Sequence, residues 1–201
     1  IGLHEKLTGA NVSKLLTESR PNLSVLLSPL DPAHIDLVSP DLIGEILRVL
    51  KTEFDYVVVD TPPAITEVII EAIDLADQCV LLSTLDAPSI KNLKLAMATL
   101  TGLGVPREEW RVVANQCSAD SGVSVSELER AIGMSATVAI PASRLVAQSV
   151  NLGRVAIDLN PLDPASVALQ LLARKIQAPD GYAKPRTVGE FLRPLLTANW
   201  R

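Results

Sequence analysis

The chain has 201 residues, of which 48% are hydrophobic and only 3% aromatic, and its formal net charge is −5. This length allows one large domain, and the aliphatic composition is typical of a parallel sheet that helices cover on both faces. The negative charge disfavours a general polyanion binder and gives no strong nucleic-acid signal, although a local basic patch stays open. The two cysteines, Cys79 and Cys117, lie in apolar runs without metal-ligand spacing, and we expect them to be reduced core thiols.

Short apolar runs alternate along the chain with stretches of helical spacing. The predicted strands are residues 24–28, 56–60, 79–84, 111–115, 136–140 and, more weakly, 155–159. The predicted helices are residues 39–50, 90–100, 124–132, 145–152 and 166–176. This alternation predicts an α/β fold, a mostly parallel sheet flanked by helices, over residues 1–178. A Pro-Asp-Gly sequence then predicts a linker into a separate tail, residues 179–201.

Residues 54–63 read FDYVVVDTPP, so a predicted buried strand ends on Asp60 and a stiff loop follows it. Ligands of open α/β sheets lie beyond the carboxyl ends of the strands, where a carboxylate can hold Mg²⁺ through a water. Pro62 and Pro63 fix φ and remove two backbone donors, which lets the loop respond as one unit to a γ-phosphate. On these residues alone, an Asp60 that merely caps the turn or helix at Thr66 is equally open.

Asn115 ends another predicted strand at the same edge of the sheet. Its amide offers both a donor and an acceptor, which suits the edge of a purine. A strand-end amide that satisfies loop backbone is the simpler interpretation when this residue is considered by itself.

Taken in order, these segments resemble the ParA/MinD family of deviant Walker P-loop ATPases up to about residue 176. Asp60-Thr61-Pro62-Pro63 matches the family's Asp-x-Pro-Pro ending of the Walker B strand. The segment LADQCVLLSTLDAPSIKNL resembles the family's next strand and helix. RVVANQC resembles its base-recognition strand, and ATVAIPAS resembles the strand and loop that follow. The stretch SVNLGRVAIDLNPLDPASVALQLLARKI resembles the ending of the CpaE/TadZ branch, which serves pilus assembly.

The resemblance implies ATP and Mg²⁺ as cofactors and assigns roles to particular residues. Asp60 would hold a water on Mg²⁺, and Thr61, Pro62 and Pro63 would form the switch II loop. Asn115 and Pro141 would form the adenine pocket. GTP-binding relatives carry an aspartate three positions after the asparagine, where this chain has Ser118, so adenine is favoured.

The resemblance also implies a bacterial, cytoplasmic switch that forms a homodimer on ATP and positions a cellular assembly. Its protein partners would belong to a pilus or secretion machinery, the septum or the chromosome. A catalytically inactive localisation scaffold of the same fold stays open. A bacterial tyrosine kinase, which shares Asp-Thr-Pro-Pro, is a weaker alternative because such kinases end in a tyrosine cluster and this chain has only Tyr56 and Tyr182.

The printed sequence contains no G-x-x-x-x-G-K-[ST] loop and no Lys-Gly-Gly-x-Gly-Lys-Thr variant of it, and the family's switch I aspartate is also absent. We therefore expect no ATP hydrolysis by these 201 residues alone. Because the chain starts at Ile1 without Met, we expect an upstream piece, a degenerate relative being the alternative. In this family the Walker A strand lies between the strand that ends at Asp60 and the strand 79–84, so we expect a gap there and poor stability of the isolated piece.

The tail combines an apolar stripe with a small basic surplus. The apolar residues fall on one helical face, namely Val188, Phe191, Leu192, Leu195, Leu196 and Trp200. Such a segment can lie in a membrane interface, and MinD proteins end in a membrane-targeting helix. Pro194 would kink that helix, so we favour packing of residues 180–201 on the domain or a partner, and keep peripheral contact with the inner face of the plasma membrane as an alternative.

Overall fold

The computed structural model describes residues 7–28 and 38–177. The described residues divide into two compact units, the first ending at Ala76 and the second beginning at Asp77. The predicted linker and tail from residue 179 lie outside the described residues, so the domain boundaries given above stay a prediction.

The first unit contains three helices and one hairpin, namely α1 (Gly9–Ser13), β1 (Leu16–Arg20), β2 (Leu23–Leu26), α2 (Pro40–Glu53) and α3 (Glu67–Leu75). β1 and β2 pair in an antiparallel sense around a turn in which Asn22 has a φ of 64°. The predicted strand 24–28 therefore exists in part, but as one arm of a hairpin. α2 begins where the sequence predicts, since the Ser39 hydroxyl accepts the Leu42 N–H at 3.2 Å and Pro40 follows it.

Residues 56–60 do not form the strand that their composition predicts. Val57 packs against the apolar cluster of Val12, Ile46 and Leu50, whereas Val58 is 91% exposed. Three consecutive valines supply β-propensity, but a strand also requires a neighbour with which its backbone can form hydrogen bonds. Among the described residues no strand pairs with this segment, and it therefore stays irregular.

Gly44 allows α2 to pack closely against α3. The Arg48 guanidinium donates to the buried Glu71 carboxylate at 2.8 Å, and a Cβ at position 44 would lie 2.2 Å from Glu71 Oε1. The Glu71 carboxylate is the flexible end of its side chain, so it can give way, but only by disturbing the ion pair with Arg48. Alanine also gains about 1 kcal/mol of helix propensity over glycine. We therefore predict that Gly44→Ala lowers the free energy of unfolding by about 1 kcal/mol, the cost of overpacking less that gain.

Urea denaturation followed by far-ultraviolet circular dichroism measures this effect. Gly102→Ala is the matched control, since no atom lies within 4 Å of the position a Cβ would take there. The control should be neutral or slightly stabilising. Equal midpoints for the two variants would contradict the close approach of α2 and α3.

The second unit is an α/β assembly. In chain order it contains β3 (Cys79–Thr84), α4 (Ala87–Gly102), a 3-10 turn (Arg107–Glu109), β4 (Trp110–Cys117), α5 (Val125–Ile132), β5 (Val138–Pro141), α6 (Arg144–Asn151), α7 (Ala156–Leu159) and α8 (Pro164–Gln177). The three strands are parallel, in the order β3-β4-β5. α4 packs on β3, and α8 covers Val113, Val138 and Ile140 through Ala165 and Ala168. The predicted parallel sheet flanked by helices is therefore confirmed.

The weak strand prediction for residues 155–159 is wrong, because this segment forms the short helix α7. Gly153, at a φ of 59°, ends α6 and turns the chain. The carbonyl of Val155 then accepts from Leu159 N at 3.2 Å, and that of Ala156 accepts from Asn160 N at 3.0 Å. These local bonds satisfy the backbone of a segment that no described strand pairs with.

β3 is an edge strand within the described part of the chain, since it pairs with β4 alone. Its side chains Val80 and Leu82 point to the same face of the sheet and are 38% and 58% exposed. The gap expected beside this strand stays a prediction. Across the two described stretches, no helix has the length and apolar character required to cross a bilayer.

Candidate functional site

The carboxyl ends of β3, β4 and β5 meet at one edge of the second unit. Asn115 is level with Thr84 of β3, and Pro141 is level with Cys117 of β4. The Ala142 N–H donates to the Cys117 carbonyl at 2.9 Å, which fastens the loop after β5 to the end of β4. The structure thus brings Asn115 and Pro141 to the ends of neighbouring strands.

A β-bulge lies at the carboxyl end of β4, between Ala114 and Cys117. From Ala114 to Cys117 the chain advances three positions on β4, while the paired residues on β5 advance two, from 139 to 141. Gln116 takes up the extra residue with a φ of 54°, and its N–H donates to Asn115 Oδ1 at 2.9 Å. The Asn115 side chain is therefore oriented by backbone before any ligand binds.

An open cavity of about 470 Å³ adjoins the end of β4. Its lining comes from Leu85, Cys117, the loop that follows β4 and the first turn of α5. The loop is held by its own side chains, because the Ser118 N–H donates to Ser121 Oγ at 3.1 Å and the Asp120 N–H donates to Ser118 Oγ at 3.2 Å. The loop beside the cavity is therefore preformed, but Asn115 and Pro141 do not themselves line the cavity.

Two titratable groups line this cavity. Hydrogen bonds from the backbone N–H and hydroxyl of Ser124, together with the charge of Arg130, hold the pKa of Glu127 below its ordinary value. Burial raises the pKa of the Cys117 thiol above 9.0, so it stays protonated near neutral pH. The cavity wall thus carries one carboxylate and an unreactive thiol.

A polar network at the end of β3 was not assigned a role from the sequence. Asp86 caps α4, accepting the Ser89 N–H and the Ser89 hydroxyl at 2.9 Å each, and it also accepts the Thr84 hydroxyl. The signal in the sequence is Asp86-x-x-Ser89 at the start of a helical pattern with Pro88. Because Thr84 is level with Asn115, this network stiffens the strand end beside Asn115.

The network makes a testable prediction about pH. The hydrogen bond from Thr84, then those from Ser89, hold the pKa of Asp86 below its ordinary value of 3.8. A carboxylate whose pKa is lower in the folded state stabilises the folded state fully above pH 3.8. This contribution disappears as the pH falls through the pKa of the folded state. We expect Asp86→Asn to be less stable than wild type at neutral pH, and the two to converge in strong acid. Midpoints of urea denaturation, measured for both proteins from neutral to acid pH, test this. A difference between the midpoints that does not change with pH would show that ionisation of Asp86 is not its cause.

Asp60, Thr61, Pro62 and Pro63 lie in the first unit, in an exposed irregular segment before α3. Thr66 itself is the N-cap of α3, its hydroxyl accepting the Ile69 N–H at 3.4 Å. Among the described residues no group of three or more His, Cys, Asp or Glu could enclose a metal ion. A single exposed carboxylate fits a water-mediated contact with Mg²⁺, whose remaining ligands are waters and phosphates.

No protein-family model matches the chain. Among curated proteins, the septum site-determining protein MinD of Thermotoga maritima is 22% identical over 147 residues, which cover 71% of this chain and 54% of that protein. The chain thus spans about half the length of the curated relative that it matches.

Solved structures of similar fold give higher coverage. The ParA family ATPase of Chlorobium tepidum matches with a TM-score of 0.78 at 17% identity, over 86% of this chain and 72% of that one. The cell division ATPase MinD of Pyrococcus furiosus matches with a TM-score of 0.73 at 19% identity, over 88% of this chain and 78% of that one. MinD of Pyrococcus horikoshii, solved with Mg-ADP, matches with a TM-score of 0.72 at 14% identity, over 86% of this chain and 74% of that one. The fold is therefore that of the ParA/MinD P-loop NTPases, and the sequence match to MinD agrees with this fold.

Proposed function

We propose that this chain is part of a MinD/ParA-like ATPase that uses ATP to switch between monomer and homodimer, and so positions a cellular assembly. The observation that carries the proposal is the placement of Asn115 and Pro141 at the ends of adjacent parallel strands, in a chain with the ParA/MinD fold. Mg-ADP in the similar MinD of Pyrococcus horikoshii supports the same ligand chemistry.

In this proposal, residues of each unit have separate tasks. Asn115 and Pro141 hold adenine, the amide through hydrogen bonds and the ring through packing. Asp60 orients a water on Mg²⁺, and Thr61 to Pro63 respond to the γ-phosphate. Bound Mg²⁺ supplies charge stabilisation during phosphoryl transfer. Binding of the phosphates also requires a glycine-rich loop with a lysine, which these 201 residues do not contain. The proposal of hydrolysis therefore concerns the protein at its full encoded length.

The finer part of the proposal is a place in the CpaE/TadZ branch, which rests on the residue pattern 149–176. A protein partner is supported by the similar fold of the MinC:MinD cell division complex of Aquifex aeolicus, with a TM-score of 0.63 at 19% identity. The scaffold alternative shares every structural feature described here and differs only in lacking nucleotide binding.

The test is nucleotide binding coupled to association. Sedimentation velocity of the protein at its full encoded length should show monomer with Mg-ADP and dimer with Mg-ATP. Asn115→Ala should weaken binding of a fluorescent ATP analogue and shift the dimer to higher ATP concentration. Wild-type protein that binds neither nucleotide would favour the inactive scaffold.

Membrane contact through residues 180–201 is a separate prediction. The experiment pellets liposomes containing anionic lipid in the presence of ATP, either with the whole protein or with a form that ends at residue 179. If the basic amphipathic tail is an anchor, only the longer form co-sediments. Equal pelleting of the two forms would leave docking on the domain or a partner as the role of the tail.

A further inference from the structure

We propose that Gln116 is a positioning residue that preorganises the Asn115 amide to read adenine. Its left-handed backbone directs its N–H onto Asn115 Oδ1 and so locks the orientation of the amide. The inference rests on the base-binding role proposed for Asn115 and goes beyond it, because no role has been assigned to Gln116.

The first step concerns the backbone. A φ of 54° is disfavoured for any residue with a Cβ, and glutamine has no short side chain that offsets this cost locally. Among the described residues the other non-glycine position of this kind is Asn22, in a hairpin turn that suits asparagine. The strained conformation at Gln116 is held by the bulge, where Cys117 is level with Pro141.

The second step concerns the amide. A backbone N–H can donate only to the oxygen of an asparagine side chain, so the contact of 2.9 Å fixes which end of the Asn115 amide faces Gln116. The Nδ2 hydrogens and the second lone pair of Oδ1 remain for a ligand. Rotation of the amide by half a turn would place Nδ2–H against the Gln116 N–H and is therefore disfavoured.

The third step concerns the base. Adenine presents an amine donor at N6 beside an acceptor at N7, and a fixed Oδ1/Nδ2 pair satisfies both. Guanine presents O6 and N7, two acceptors, and would place O6 against Oδ1. Guanine meets one acceptor against Oδ1 in either orientation of the amide, so rotation of the amide gains guanine nothing. Locking by Gln116 therefore acts through adenine, because it fixes the amide in the single orientation that pairs with both adenine groups.

The experiment compares three variants of the protein at its full encoded length, using fluorescent ATP and GTP analogues. Gln116→Val disfavours positive φ, and it should reduce the ratio of ATP to GTP affinity by about two- to fourfold, because the unlocked amide spends part of its time in the orientation that adenine cannot use. Gln116→Gly keeps both the N–H and the conformation, so it should restore the ratio. Asn22→Val introduces the same backbone conflict in the first unit and should keep the wild-type ratio. A wild-type ratio in Gln116→Val overturns the proposal.

A second measurement serves if Gln116→Val does not fold. In nucleotide-free wild-type protein, NMR should detect scalar coupling across the hydrogen bond from Gln116 N–H to the Asn115 side-chain carbonyl. Missing coupling overturns the lock. Wild-type protein that binds no nucleotide refutes the proposed function instead, while the NMR result still decides whether the lock exists.

Discussion

Asp60→Ala is expected to reduce ATP turnover by on the order of a hundredfold or more in the protein at its full encoded length. Catalysis of phosphoryl transfer depends on positioning and charge stabilisation, and loss of the carboxylate that orients a Mg²⁺-bound water removes both. Asp60 is exposed, so the substitution removes no core packing and should leave the fold intact. Turnover measured at several Mg²⁺ concentrations should show that the variant also requires more metal.

Asp55→Ala is the matched control for this prediction. It removes an equally exposed carboxylate five residues upstream in the same irregular segment, and it should retain wild-type turnover. Circular dichroism of both variants separates loss of chemistry from loss of fold. If Asp60→Ala turns over ATP as fast as Asp55→Ala, Asp60 is an ordinary solvated carboxylate and the Mg²⁺ role is refuted.

Helices and paired strands could be predicted from the sequence where their determinants are local. The start of α2 follows from Ser39 and Pro40, and that of α5 from Ser124, whose hydroxyl and backbone N–H form a capping box with Glu127. The strand predictions at 79–84 and 111–115 hold because these strands lie beside each other, as their apolar character requires.

Predictions failed where structure depends on a distant partner. Residues 56–60 have the same β-branched character as β4 but no described neighbour, and residues 155–159 satisfy their backbone within α7. The hairpin of β1 and β2 was missed because strand pairing is not visible in composition. Propensity therefore identified extended segments but could not decide which of them join a sheet.

The candidate site shows the same division. Asn115 could be placed at the sheet edge because it ends an apolar run, and parallel strands bring such ends to one edge. Pro141 was assigned only through the resemblance to the ParA/MinD family, and the structure places it at the same edge. The left-handed Gln116 could not, since a one-residue bulge depends on the register between β4 and β5. The roles of Asp60 to Pro63 stay predictions that the turnover experiment decides.

The protein at its full encoded length is expected to prefer ATP over GTP by roughly 10⁴ or more, because a site built for one polar edge leaves groups unpaired against the other. Ser118 contributes to the poor binding of guanine, because a carboxylate at this position would pair with guanine N1 and N2 and a serine does not. Ser118→Asp should therefore narrow the preference by about tenfold or more. Its hydroxyl accepts the Asp120 N–H at 3.2 Å, a bond that an aspartate oxygen can also accept, so the loop should persist.

Competition between ATP and GTP for a fluorescent analogue measures both preferences. Ser126→Asp is the matched control, because it adds the same charge to the first turn of α5, where helix geometry tolerates an acidic residue. The control should keep the wild-type preference, which separates pairing with guanine from a general effect of charge on nucleotide binding. Wild-type protein from which GTP displaces ATP equally well would refute the adenine assignment of Asn115 and Pro141. An unchanged preference in Ser118→Asp would instead show that the base does not reach the loop after β4, and that discrimination depends on the Asn115 amide alone.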